Sequence, residues 1–183
     1  MPGVVSLIEG AAGEYVVRAW ELLSRELGIQ AAPPGAIPHV SYHVAGEYAP
    51  GLLDRLAFEA ACATPFEVPI AGPAIFIGEP LVLYLAVTRS GALSRLQASA
   101  WQVAESFADE SAGYWLEGRW VPHITLAMEG LTPDLVAHAH ALLLPGMPAL
   151  SARIDNFALL DERTGGHELL ARYAFASQKV QEA

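Results

Sequence analysis

Hydrophobic and polar positions change period several times along the chain, and each change marks an element. Residues Val4 to Ile8 are apolar and rich in β-branched side chains, which predicts a short buried strand. From Glu14 to Leu27, the residues Val17, Trp20, Leu23 and Leu27 recur at helical spacing, and Gly28 ends the pattern. The stretch "AAPPGAIP" predicts a loop, and "HVSYHVA" alternates with a period of two, as a strand does. A helix is predicted over Leu52 to Ala63, and "FEVPIAGPAIFIGEP" predicts two short strands about a Gly-Pro turn.

From Leu81 the same order returns. "LVLYLAV" predicts a strand, Leu93 to Phe107 a helix, and a loop containing Gly113 and Gly118 leads to the strand "PHITLAM". A helix over Leu131 to Leu144 opens at Thr132-Pro133, and "ALSARIDNFALLDE" with "HELLARYAF" closes the chain as a pair of strands about Gly165-Gly166. The recurrence predicts one α+β domain over residues 1–183, with internal repeats at about 3–80 and 81–177. The expected architecture is bilobal and duplicated: two antiparallel-rich sheets, helices packed outside, and a central cleft between pseudo-symmetric lobes.

Within the repeat two short segments are spelled almost alike, "IPHVSY" and "VPHITL". Alternation puts His39 and Ser41 on one face of their strand, and Val40, Tyr42 and Val44 on the other. In the second copy His123 and Thr125 share a face, opposite Ile124, Leu126 and Met128. Each strand thus presents an imidazole and a hydroxyl whose Cα atoms lie roughly 6 to 7 Å apart. The proline before each histidine lacks an N–H for the ladder and fits a strand start or an unpaired edge. Two histidines facing across a cleft suit acid–base chemistry near neutral pH, and the hydroxyls supply donors for a phosphoryl group. His43 falls on the same predicted face as His39 and is expected to meet an asymmetrically bound substrate.

Composition narrows the partners. The 183 residues are 53% hydrophobic and carry a net charge of −10, with Lys179 the only lysine. Such a field repels a long polyanion, whereas a small phosphorylated ligand needs only a few local donors. No apolar run approaches the roughly 20 residues that span a bilayer, and the N-terminus lacks the pattern of a secretory signal. With the single Cys62, these features lead us to expect a cytoplasmic protein, a monomer with no membrane partner. In "GYWLEGRWVPH", Arg119 and Trp120 beside Tyr114 and Trp115 are expected to offer a cation and a stacking surface. His138 and His140 fall on different helical faces and form no metal site, and Tyr42, Cys62, Tyr84 and His167 are assigned no role.

The matched segments, His39-Val40-Ser41-Tyr42 and His123-Ile124-Thr125-Leu126, resemble the H-x-[T/S]-x motifs of the two-histidine (2H) phosphoesterase superfamily. That superfamily includes the 2′-5′ RNA ligase-like proteins and the RNA cyclic phosphodiesterases, and the resemblance extends over nearly the whole chain. It implies a bilobal α+β fold and phosphoesterase chemistry with neither metal nor cofactor. His39 and His123 would then be general base and general acid, and Ser41 with Thr125 would bind the phosphoryl group. Met128 and Glu129 stand where many RNA-directed relatives carry a basic residue. That substitution and the acidic charge favour a small cyclic phosphate or nucleotide over an RNA end. A phosphometabolite-binding module without turnover, or RNA end-processing or ligation on a larger RNA, are the alternative readings.

Overall fold

The computed structural model describes residues 1–111, 113, 116, 118–162 and 165–176. Its elements run β1 (Pro2–Leu7), α1 (Gly10–Leu27), β2 (His39–Val44), β3 (Glu47–Tyr48), α2 (Leu52–Cys62), β4 (Phe66–Phe76), β5 (Val82–Val87) and α3 (Gly91–Glu105). They continue through β6 (Ala108–Asp109), β7 (His123–Ala127), α4 (Pro133–Leu143), a 3₁₀ turn (Leu144–Gly146), β8 (Leu150–Ile154), β9 (Asn156–Asp161) and β10 (Glu168–Ala174). The fold is α+β with antiparallel sheets, as the sequence predicts. Among the described residues no helix is long and apolar enough to cross a membrane.

One four-stranded sheet has the order β10-β9-β1-β2 and the other β7-β5-β4-β8. The first sheet joins strands from the two ends of the chain, and the second takes all four of its strands from the middle. The helices interleave as well: α1 packs on β7 and β8 of the second sheet, whereas α3 packs on β2 of the first. A single apolar cluster consequently joins Val4, Val40 and Phe157 of one sheet to Leu83, Ile124 and Ile154 of the other. The two motif strands, β2 and β7, are each the edge of their sheet, and they approach one another.

Several details differ from the sequence reading. Helix α1 begins at Gly10, and its buried face is Ala12, Gly13, Val16, Ala19 and Leu23, which leaves Val17 exposed. Gly13 packs so near the Ile8 carbonyl that no Cβ fits there. The segment expected to fold as two strands about a Gly-Pro turn is the one long strand β4. Gly72, at φ 133°, absorbs a register shift there without breaking the strand. Conversely "ALSARIDNFALLDE" divides at Asp155 into β8 and β9, which join different sheets. The α4 start is as predicted, with the Thr132 hydroxyl accepting from the Leu135 N–H and Pro133 in the first turn.

Candidate active site

His39 pairs with Leu7 and Ser41 with Val5, so all four share one face of the first sheet. On the second sheet His123 pairs with Ala86 and Thr125 with Tyr84. Beyond the hydroxyl residue both strands carry the same irregularity. The ladder steps from Ser41 to His43 against consecutive residues Val5 and Val4, and from Thr125 to Ala127 against Tyr84 and Leu83. Tyr42 and Leu126 are therefore the extra residues of matched β-bulges, and a bulge ends period-two alternation.

That bulge corrects the assignment of His43. Instead of sharing the face of His39, it is 1% exposed and turned toward α3. Its Nε2–H donates to Glu105 Oε2 at 2.8 Å, and its Nδ1 accepts from the Tyr48 hydroxyl at 2.7 Å. Burial pushes its pKa down, against the opposing pull of Glu105. No ring nitrogen is left for a ligand. His43→Ala is expected to cost about 2 kcal/mol or more through the lost buried hydrogen bonds and the cavity, measurable by urea unfolding. The Michaelis constant of the folded fraction should stay within twofold of the wild type. A large rise would restore His43 to the binding site. Met128 likewise lies beyond the end of β7 and is exposed, not in the core.

Trp120 is also a correction. It is 2% exposed, packs against Tyr42, and donates from Nε1 to the Ser41 carbonyl at 2.9 Å. Arg89 lies over its ring and donates to its carbonyl oxygen. Trp20 does the reciprocal job, donating from Nε1 on α1 to the Thr125 carbonyl at 3.1 Å. Edge strands leave carbonyls unpaired, and here two indoles satisfy those of the two hydroxyl residues. Arg119 is exposed on the loop before Trp120, while Tyr114 and Trp115 lie outside the described residues.

The two motif histidines are held alike. His39 Nδ1–H donates to the Ile37 carbonyl, and His123 Nδ1–H to the Val121 carbonyl, each at 2.7 Å. A carbonyl can only accept, so this bond fixes the tautomer and leaves a lone pair on Nε2 of each neutral ring. Burial lowers both pKa values, that of His39 to about 4, and the charges of His167 and His123 push His39 the same way. The two motif histidines therefore lie within electrostatic reach of one another.

Their surroundings differ. Phe76 and Tyr84 stack at 4.1 Å between centroids, and both meet the His123 ring in T-shaped contacts. His39 instead meets His167, 7% exposed, and lies 4.0 Å from Glu162 Oε1 through Nε2. The sequence reading assigns Tyr84 and His167 no role and does not consider Glu162.

A sequence profile of the 2′-5′ RNA ligase superfamily matches residues 10–166. The chain belongs to this superfamily. Members of the superfamily are phosphoesterases and RNA end-processing enzymes. Among solved structures, E. coli LigT in its apo form is similar, with a TM-score of 0.61, 15% identity and 96% of each chain covered. E. coli LigT complexed with 3′-AMP gives 0.60 at 16% identity, again over 96% of each chain. Kluyveromyces marxianus Usb1 with uridine monophosphate gives 0.51 at 12%, over 95% of this chain and 98% of that one. At these identities the 2′-5′ RNA ligase fold is what they share with this chain. A search of curated proteins finds no match.

Proposed function

We propose that the chain is a metal-independent phosphodiesterase that opens a 2′,3′-cyclic phosphate or a related small cyclic phosphate or nucleotide. The observation that carries this reading is the matched pair of imidazoles on facing edge strands. Each is tied at Nδ1 to a carbonyl two residues earlier and directs Nε2 as the proton-transferring atom. His39 and His123 act as the acid–base pair, and Ser41 and Thr125, on the same sheet faces, hold the non-bridging phosphoryl oxygens. Arg119 supplies a cation on the approach to the second motif, and the ligand is small because a net charge of −10 opposes a long polyanion. Superfamily membership and the nucleotide complexes of similar structures support this choice of substrate class.

The test is a panel of 2′,3′-cyclic and 3′,5′-cyclic nucleotides and small cyclic phosphates, assayed for ring-opened product with and without a chelator. Turnover of at least one 2′,3′-cyclic phosphate, undiminished by chelator, is expected. Saturable binding without product would replace the enzyme with a binding module. Tight binding to structured RNA that weakens steeply with salt would move the substrate to RNA.

A further inference from the structure

The two motif histidines are alike in how they are held but not in what faces their reactive nitrogen. Around His39 a closed ring of contacts runs through the backbone of Ile37. Its carbonyl accepts from His39 Nδ1–H at 2.7 Å, and its N–H donates to His167 Nδ1 at 3.0 Å. Because Nδ1 of His167 accepts, the proton of its neutral ring sits on Nε2, which donates to Glu162 Oε1 at 3.2 Å. Glu162 in turn stops 4.0 Å from His39 Nε2.

The loop before His39 is locked to this hairpin. His167 N–H donates to the Pro34 carbonyl, and a Cβ at Gly166 would run into that same oxygen. Glu162 itself is half exposed and keeps a depressed pKa, chiefly through its hydrogen bond from His167, so it is a carboxylate at neutral pH.

Two acceptors now point into one space: the lone pair of neutral His39 Nε2 and the carboxylate of Glu162. A phosphoryl oxygen is repelled there, and a single hydroxyl satisfies only one of the pair. A water molecule donating both hydrogens at ordinary distances spans acceptors about 4.4 Å apart, close to the separation seen. Resting on the phosphodiesterase reading above, we infer that Glu162, clamped by His167, orients the attacking water together with His39. This makes His39 the general base and His123 the general acid. The water oxygen bonds to phosphorus as one of its protons passes to His39 Nε2, the other remaining directed at Glu162. The bond from phosphorus to the ribose oxygen breaks, and that oxygen takes the Nε2 proton of His123, which enters the step as the imidazolium and leaves it neutral, giving a phosphomonoester. Glu162 touches the reacting water, whereas His167 is a positioning residue.

The experiment compares wild type, Glu162→Gln, His39→Ala and His123→Ala on the best 2′,3′-cyclic substrate and on a di-p-nitrophenyl phosphodiester, whose leaving group needs no acid. Glu162→Gln is expected to lower kcat on the cyclic substrate about 10-fold or more, with KM within threefold, since it disorders the nucleophile and not the phosphate. His167→Ala should lower kcat in the same pattern. On the activated diester the loss in His123→Ala should shrink, and the losses in Glu162→Gln and His39→Ala should persist. A Glu162→Gln kcat within twofold of wild type overturns the inference while leaving the phosphodiesterase reading intact, and the cyclic substrate alone decides that point. A Glu162→Gln loss that vanishes on the activated diester also overturns it. No turnover by wild type sinks the phosphodiesterase reading and takes the inference with it.

Discussion

Replacing either His39 or His123 with alanine is expected to lower turnover of a 2′,3′-cyclic phosphate by about 10² or more, the usual contribution of a positioned acid or base. Both losses should be similar, because opening the ring requires a proton removed on one side and delivered on the other. Both rings are partly exposed, that of His39 to 15%, so the variants should fold. The pH dependence of kcat/KM checks the assignment further. Burial holds both histidines below the ordinary imidazole value near 6.5, His39 at about 4. For His39 the facing groups are the Ile37 carbonyl and Glu162, which raise the value, and His167 and His123, which lower it. A base must be deprotonated, so the ascending limb of the bell lies near pH 4. An acid must be protonated, so the descending limb lies below the ordinary histidine value. The bell is thus displaced to the acid side of neutrality. An optimum above pH 7 would show that these two rings are not the titrating pair. Glu162→Gln removes a charge that raises the His39 value, and should move the ascending limb further down.

What the sequence made legible follows from how local each feature is. The imidazole and hydroxyl of each half lie two residues apart on a strand, so "PHVS" and "PHIT" display half a site each within four letters. The bulges at Tyr42 and Leu126 do not announce themselves that way, because they are set by the partners β1 and β5 and not by the strand that carries them. Reading alternation through the bulge placed His43 on the wrong face. Gly72-Pro73 looked like a turn because glycine and proline punctuate chains, yet at the point where β4 passes from β8 to β5 they bend a continuous strand. Glu162 and His167 were illegible for a different reason. They reach His39 only because β9 joins the sheet of β1, bringing residues from near the end of the chain beside the first motif.

Trp120→Ala is expected to destabilise the fold by about 3 to 5 kcal/mol, the range for emptying a buried aromatic site. A domain of this size has a stability of only about 5 to 15 kcal/mol, so the loss is a large part of the whole. Three contacts go with the ring: packing on Tyr42, the guanidinium of Arg89 above it, and the hydrogen bond to the Ser41 carbonyl. Trp120→Phe separates them. It keeps most of the volume but leaves the edge carbonyl of Ser41 without its indole donor, at a cost of about 1 kcal/mol. The Ser41 hydroxyl sits on the same residue as that carbonyl, so a shift of the β2 edge moves a proposed phosphoryl donor directly. Urea unfolding gives the first quantity and steady-state kinetics the second. Had Trp120 been the stacking surface its sequence context implied, Trp120→Ala would raise KM steeply at nearly full stability. A brace between the two motif strands gives the opposite pattern, a fold weakened first and a site loosened as a consequence. Trp20→Phe should show the same order of effects from the other side, through Thr125.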